Sequence, residues 1–168
     1  MTTHAIKRPQ QPAGNRADLC TALQHEINAT IPLTRAMQLR VTGCTTDGLM
    51  LDAPLQPNIN DKGTAFGGSL SAMLTVAGWG LLWLRTREAG VHCEVMIARG
   101  EISFRRPLQD DLRACCPEPA AAEWSNFINQ LRLRGKARIT LAPKILDALG
   151  QETVTFRSEY VALMRDPT

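Results

Sequence analysis

The sequence predicts an α+β fold in which a curved antiparallel sheet wraps one long buried helix. Three observations carry that expectation. Residues 65–84 contain no charged side chain, and a helix that is apolar on every face has to be covered on most sides. The segments on either side alternate apolar and polar residues, the pattern of half-buried strands. Short polar loops join those strands, which favours antiparallel neighbours.

Taken in order, residues 1–16 are polar, with two prolines and a glycine, and read as a flexible tail. Residues 17–168 read as one domain. From Asp18, Leu19, Leu23 and Ile27 recur at four-residue spacing, predicting a helix that Pro32 closes. Met37, Leu39 and Val41 alternate as a first strand. Asp47-Gly48 turns the chain into a second strand carrying Leu49, Leu51 and Ala53. The polar loop 54–62 leads into a helix over about 67–88, which Gly90 stops. A long strand follows over 92–108, with Gly100 marking a bulge or bend, then a short strand over 112–116. Pro119 opens a helix whose stripe is Trp124, Phe127, Ile128 and Leu131, and Gly135 ends it. Strands over 136–146 and 153–164 close the chain.

Composition excludes several classes. The chain has 168 residues, 44% of them apolar, and a net charge of +3, so it suits one globular domain and not a disordered or nucleic-acid-binding tail. Its five cysteines follow no zinc spacing, and no signal peptide opens the sequence. Reduced thiols and a cytoplasmic location are expected. The apolar stretch 65–84 is about long enough to span a membrane. Four glycines, two serines and a threonine dilute it, and it is read as a core helix. His4, His25 and His92 accompany no nucleophile motif, so no catalytic triad is expected.

The chemistry is expected where the loop meets the long helix. Gly67 and Gly68 open that helix, where unpaired N–H groups and positive partial charge can stabilise an oxyanion. Glycine lets a ligand approach the backbone closely. Asn58, Asn60, Asp61 and Lys62 form a polar cluster just upstream that could orient water; the same residues could equally cap the helix and shape the loop. Arg105 and Arg106 form a basic pair, and 132–138 contains four more cations, suited to phosphate.

Pro57, the run 58–70 (NINDKGTAFGGSL), Ala77-Gly78-Trp79 and Gly135-Lys136-Ala137-Arg138 together resemble the hot-dog-fold thioesterase family that also forms the C-terminal half of YiiD-type acetyltransferases. The resemblance covers about residues 18–165. It implies a hot-dog fold, an acyl-thioester hydrolase acting on acyl-coenzyme A or acyl-carrier-protein thioesters with directly activated water, and no metal or cofactor. It also implies a homodimer or a tetramer, with long strands paired across subunits and a shared site. It places Asn60 where relatives hold water or the carbonyl and Gly67 where a backbone N–H polarises the thioester. Phe66 stands where many relatives have histidine, and Thr75 where many have the catalytic acid. No acid lies between Lys62 and Glu88, which leaves Asp61 as the nearest carboxylate. Asn60, Asp61, Gly67 and Thr75 are therefore the expected catalytic set. Asn58, Lys62, Phe66, Gly68, Ser69, Arg105 and Arg106 are the expected substrate contacts. A non-catalytic acyl-coenzyme A-binding module on the same fold is the alternative. The chain is too short to include an acetyltransferase domain as well.

Overall fold

The computed structural model describes residues 15–164; the tail expected over 1–16 therefore lies almost wholly outside the described residues. Of that segment, Asn15 caps the first helix, α1 (Arg16–Thr30), through its side chain, and Arg16 is bonded into the body. Arg16 Nε meets Glu88 Oε1 at 2.6 Å and a guanidinium nitrogen meets Glu118 Oε1 at 2.8 Å, while Arg85 contacts the same two acids. Burial opposes the Arg16 charge, but its bonds to Glu88 and Glu118 outweigh that and push its pKa up.

Pro32 does not simply stop α1. It begins a short helix, α2 (Pro32–Ala36), because a first-turn proline gives up an N–H that has no helical partner. Met37 and Leu39 are buried but precede the first strand, β1 (Arg40–Thr45). Thr46 and Asp47 make the turn, one residue earlier than expected, and Gly48 begins β2 (Gly48–Ala53). Gly48 has φ +142, and a Cβ there would stand 2.1 Å from Cys116 O, so the close approach to the neighbouring strand needs glycine.

The long helix α3 (Gly67–Glu88) matches its expected bounds. It is followed by β3 (Cys93–Phe104), β4 (Leu112–Pro117) and α4 (Ala121–Arg134). Pro119 lies just outside α4, and Gly135 ends that helix in the left-handed region at φ 69. The strand expected over 136–146 is two, β5 (Lys136–Leu141) and β6 (Lys144–Leu146), which pair consecutively along one side of β7 (Glu152–Met164). Pro143 interrupts them, since proline cannot donate to a ladder.

Seven strands form one antiparallel sheet in the order β1-β2-β4-β6-β7-β3, with β5 also on β7. The sheet curves around α3, whose Leu70, Met73, Leu74, Ala77, Leu81, Leu82 and Leu84 are all buried in the core. The helix is long and apolar enough to cross a membrane by length and composition, but here it is the core helix of the fold. Tyr160 on β7 lies across Gly78, where a Cβ would stand 2.2 Å from the tyrosine oxygen, and its hydroxyl donates to Thr75 O at 3.0 Å. Burial pushes the Tyr160 phenol well above its usual range.

The expectation for the cysteines is corrected. Cys20 on α1 and Cys44 on β1, read from sequence as free thiols, form a disulfide with Cα atoms 5.9 Å apart. Only the fold brings them together, across 24 positions of sequence. Cys93, Cys115 and Cys116 stand outside any disulfide, and burial raises the Cys115 and Cys116 thiols.

Candidate active site at the start of the central helix

The loop before α3 is tied down by its own backbone and side chains. Phe66 N donates to Asn58 O at 2.7 Å, Asn60 N to Thr64 O at 2.8 Å, and Ala65 N to Leu108 O at 2.7 Å. Gly63 turns it at φ +75. Asn58 is 1% exposed and donates to Met37 O and Pro54 O, anchoring the loop from below. Asn60 is equally committed. Its Oδ1 accepts from Lys62 N at 2.8 Å and Thr64 N at 3.1 Å, and its Nδ2 donates to Thr64 Oγ1 at 2.8 Å.

At the end of the loop the helix starts without a side-chain cap, and Leu70 N is the first amide to bond back, to Phe66 O. The first-turn N–H groups thus retain the positive end of a 22-residue helix. Two exposed rings flank this point. The Phe104 ring comes 3.4 Å from where a Cβ on Gly67 would stand, and the Phe66 ring 2.3 Å from where one on Gly68 would stand. Beside Gly67 opens a cavity of about 330 Å³. Its apolar wall is Ala65, Leu70, Phe104 and Leu108, and its polar rim is Thr64, Arg105 and Arg106. A larger recess of about 650 Å³ lies between α1, α2 and β1. One of its polar groups, Gln24, is spent on Leu39 O and Val41 N, and none of the loop motif lines it.

The structure thus brings Gly67, Arg105 and Arg106 to one cavity, with Asn60 one bond behind it through Thr64. It does not bring the others there. Asp61 is exposed, with both carboxylate oxygens 3.0 Å from Lys62 Nζ, and neither side chain lines the cavity. Ser69 sits half-buried in the first turn, off the cavity. Thr75 shares the Gly67 face but lies eight residues on, about 12 Å along the axis, and its hydroxyl donates to Ser71 O. The two arginines differ. Arg106 is held by Gln151 at 2.8 Å and approaches Asp147 at 3.8 Å, whereas Arg105 is an exposed cation at the rim. The remaining cations expected for phosphate, on α4 and β5, sit at the opposite end of β7: Lys136 pairs with Leu163, while Phe104 pairs with Val154.

Sequence reasoning missed Thr64 and Phe104. Thr64 stood unassigned inside the quoted motif, and its hydroxyl becomes significant only through the bond from Asn60. Phe104 was readable only as one apolar residue of a strand.

Residues 20–164 match the family described as "Putative thioesterase", the C-terminal domain of YiiD. The chain belongs to this YiiD C-terminal thioesterase family. Solved structures agree. A protein of unknown function from Chlorobaculum tepidum is 31% identical with a TM-score of 0.88, over 92% of this chain and 100% of its own. A putative thioesterase from Shewanella oneidensis is 27% identical with a TM-score of 0.76, over 88% of this chain and 98% of its own. A probable thioesterase from Pseudomonas aeruginosa, at 19% identity and a TM-score of 0.73, shares the fold over 86% of this chain and 95% of its own. The hot-dog architecture expected from the loop motif is the one observed, and a thioesterase-type function goes with the YiiD C-terminal family.

Proposed function

We propose that the protein hydrolyses acyl thioesters of coenzyme A or of an acyl carrier protein by direct attack of water, as a cytoplasmic homodimer or tetramer, with no cofactor or metal. The carrying observation is the uncapped helix start at Gly67, opening onto a cavity with apolar walls and a cationic rim. The thioester carbonyl sits against the Gly67 N–H, where negative charge on its oxygen is stabilised as water adds to the carbon. The Thr64 hydroxyl accepts from Asn60 Nδ2, which leaves its own proton and a lone pair to hold that water. Collapse of the adduct breaks the C–S bond. The carboxylic acid takes the water oxygen, and the thiolate recovers the proton that the water lost. Asp61, the carboxylate of the loop motif, relays the proton through solvent, since its oxygens face Lys62. The acyl chain follows the helix face toward Thr75, and Arg105 faces the phosphates of the carrier.

The homodimer is supported by β3. It is the last strand of the sheet order, twelve residues long, with Met96, Ile97 and Phe104 exposed. A long open edge of this kind is a template for pairing.

One observation favours a second reading, a non-catalytic acyl-thioester-binding module: no carboxylate or imidazole lines the cavity among the described residues. Purified protein assayed against acyl-coenzyme A esters of varied chain length, by released thiol, separates the two. Turnover supports the hydrolase; saturable binding without turnover supports the module.

A further inference from the structure

We propose that the Cys20–Cys44 disulfide is a redox control on the helix start at Gly67, with a dithiol as its reductant. The effect on turnover rests on the hydrolase reading above; the effect on the loop does not. The residues of α1 that bond to β1 recur at every fourth position, along one face of the helix. Arg16 donates to Thr45 O. Cys20, one turn on, is joined to Cys44. Gln24, one turn further, donates from Nε2 to Leu39 O at 3.2 Å and accepts at Oε1 from Val41 N at 2.6 Å. The contacts advance along α1 as they go back along β1, and the covalent bond stands in the middle of the row. β1 has a strand on one side only, β2. On its other side the Gln24 amide takes the place of a neighbouring strand, bonding to one residue and to the next but one.

From there the bonds lead to the site. Leu39 N donates to Thr34 O at 2.9 Å, and Thr34 Oγ1 donates to Ile27 O at 2.9 Å, which ties α2 and the residues before β1 back to α1. Met37 O, two residues before Leu39, accepts from Asn58 Nδ2 at 3.0 Å. Asn58 O accepts from Phe66 N, and Phe66 precedes Gly67. The Asn58 Oδ1 is buried with no partner among the described residues. The two bonds from its amide nitrogen, to Met37 O and Pro54 O, therefore orient the side chain. The loop that delivers Gly67 thus stands on the segment that the disulfide fixes.

Both cysteines are half-buried, so a thiolate reaches a sulfur from solvent. In the cytoplasm proposed above, thiols are kept reduced, and a disulfide formed there is a transient, sensing one. One thiolate of the dithiol attacks a sulfur of the pair, forms a mixed disulfide and displaces the first cysteine. Its second thiolate attacks the mixed disulfide and displaces the other. Cys20 and Cys44 together gain two electrons and two protons, and the dithiol ends as a disulfide. Once released, α1 is no longer held in one alignment against β1. Gln24 then loses its paired bonds, and residues 37–41 carry the Asn58 contact with them.

The test compares the oxidised full chain with the same chain reduced by dithiothreitol. Amide hydrogen exchange is resolved by NMR, and turnover of an accepted acyl-coenzyme A is followed by loss of thioester absorbance. Ala65 N lies in the same loop but donates to Leu108 O, so it serves as the reference. Reduction should speed exchange at Val41 and Phe66 about fivefold or more relative to Ala65, and lower kcat by about fivefold or more. Reoxidation should restore both. The double variant C20S/C44S, with folding checked by circular dichroism, should match the reduced chain and ignore dithiothreitol. Equal acceleration at Ala65 and Phe66 overturns the proposal, because the bond then only staples the whole fold. No change at Phe66, or a C20S/C44S chain that still responds to the dithiol, overturns it as well. Exchange that follows the redox state in a chain that hydrolyses nothing leaves the control of the loop standing and removes the hydrolase reading. Turnover indifferent to the redox state keeps the hydrolase and removes the control.

Discussion

The ring of Phe104 lies 3.4 Å from the point that a Cβ on Gly67 would occupy, so strand β3 presses its last side chain onto the first turn of α3. Gly67 lines the cavity beside this contact, so the helix start is approached from there. Gly67→Val should abolish binding and turnover by filling that approach. Gly68→Ala should be tolerated, because its neighbour is the exposed, rotatable Phe66 ring. Steady-state kinetics with circular dichroism checks both; a Gly67→Val enzyme with normal turnover would place the site elsewhere.

Asn60 is expected to act through Thr64. Asn60→Ala removes the bond to Thr64 Oγ1 and the two bonds that its Oδ1 accepts to shape the loop, and should lower kcat by about 10²-fold or more. Thr64→Val should lower kcat with little change in KM. Asp61→Asn, at an exposed position paired with Lys62, should change kcat by less than about threefold. A 10²-fold loss in Asp61→Asn with folding intact would make Asp61 a direct general base and the outward geometry an unproductive one.

Gly78 and Tyr160 should show steric coupling. Gly78→Ala sets a Cβ 2.2 Å from a buried tyrosine oxygen and should cost about 1–3 kcal/mol of stability. Tyr160→Phe alone loses the bond to Thr75 O, at about 1 kcal/mol. Combining it with Gly78→Ala should cost less than the sum. Urea denaturation of the two singles and the double measures this; additive losses would mean that the ring carbons, 2.6 Å from the same point, are the obstacle in place of the oxygen. Thr75→Ala, which loses only a bond to Ser71 O, should cost less than Gly78→Ala.

Thiol counting tests the disulfide. Denatured without reductant, the chain should titrate three thiols, Cys93, Cys115 and Cys116, and five after reduction. Reduction should lower stability by roughly 3 kcal/mol through the loop it releases. Five thiols without reductant would return Cys20 and Cys44 to the reduced state expected of a cytoplasmic protein.

Much of this protein is determined locally. The uncharged run 65–84 becomes α3 because an all-apolar helix has one place to go, and Gly90 and Gly135 end helices because both adopt positive φ there. Alternation located most of the strands, and the Asn-to-Gly-Gly spacing located the loop and helix start. Other features depend on residues distant in sequence. Pro143 splits a strand only because β7 is long enough to pair with both pieces. Cys20 meets Cys44 because α1 crosses β1. Above all, the motif named Asn60 and Asp61 as equals, and the fold separated them: Asn60 turned inward onto Thr64, while Asp61 turned outward onto Lys62. Side-chain direction in a tight loop follows from which backbone groups are left unpaired after the loop closes, and closure here depends on Leu108 and Met37, residues whose arrival no local pattern announces.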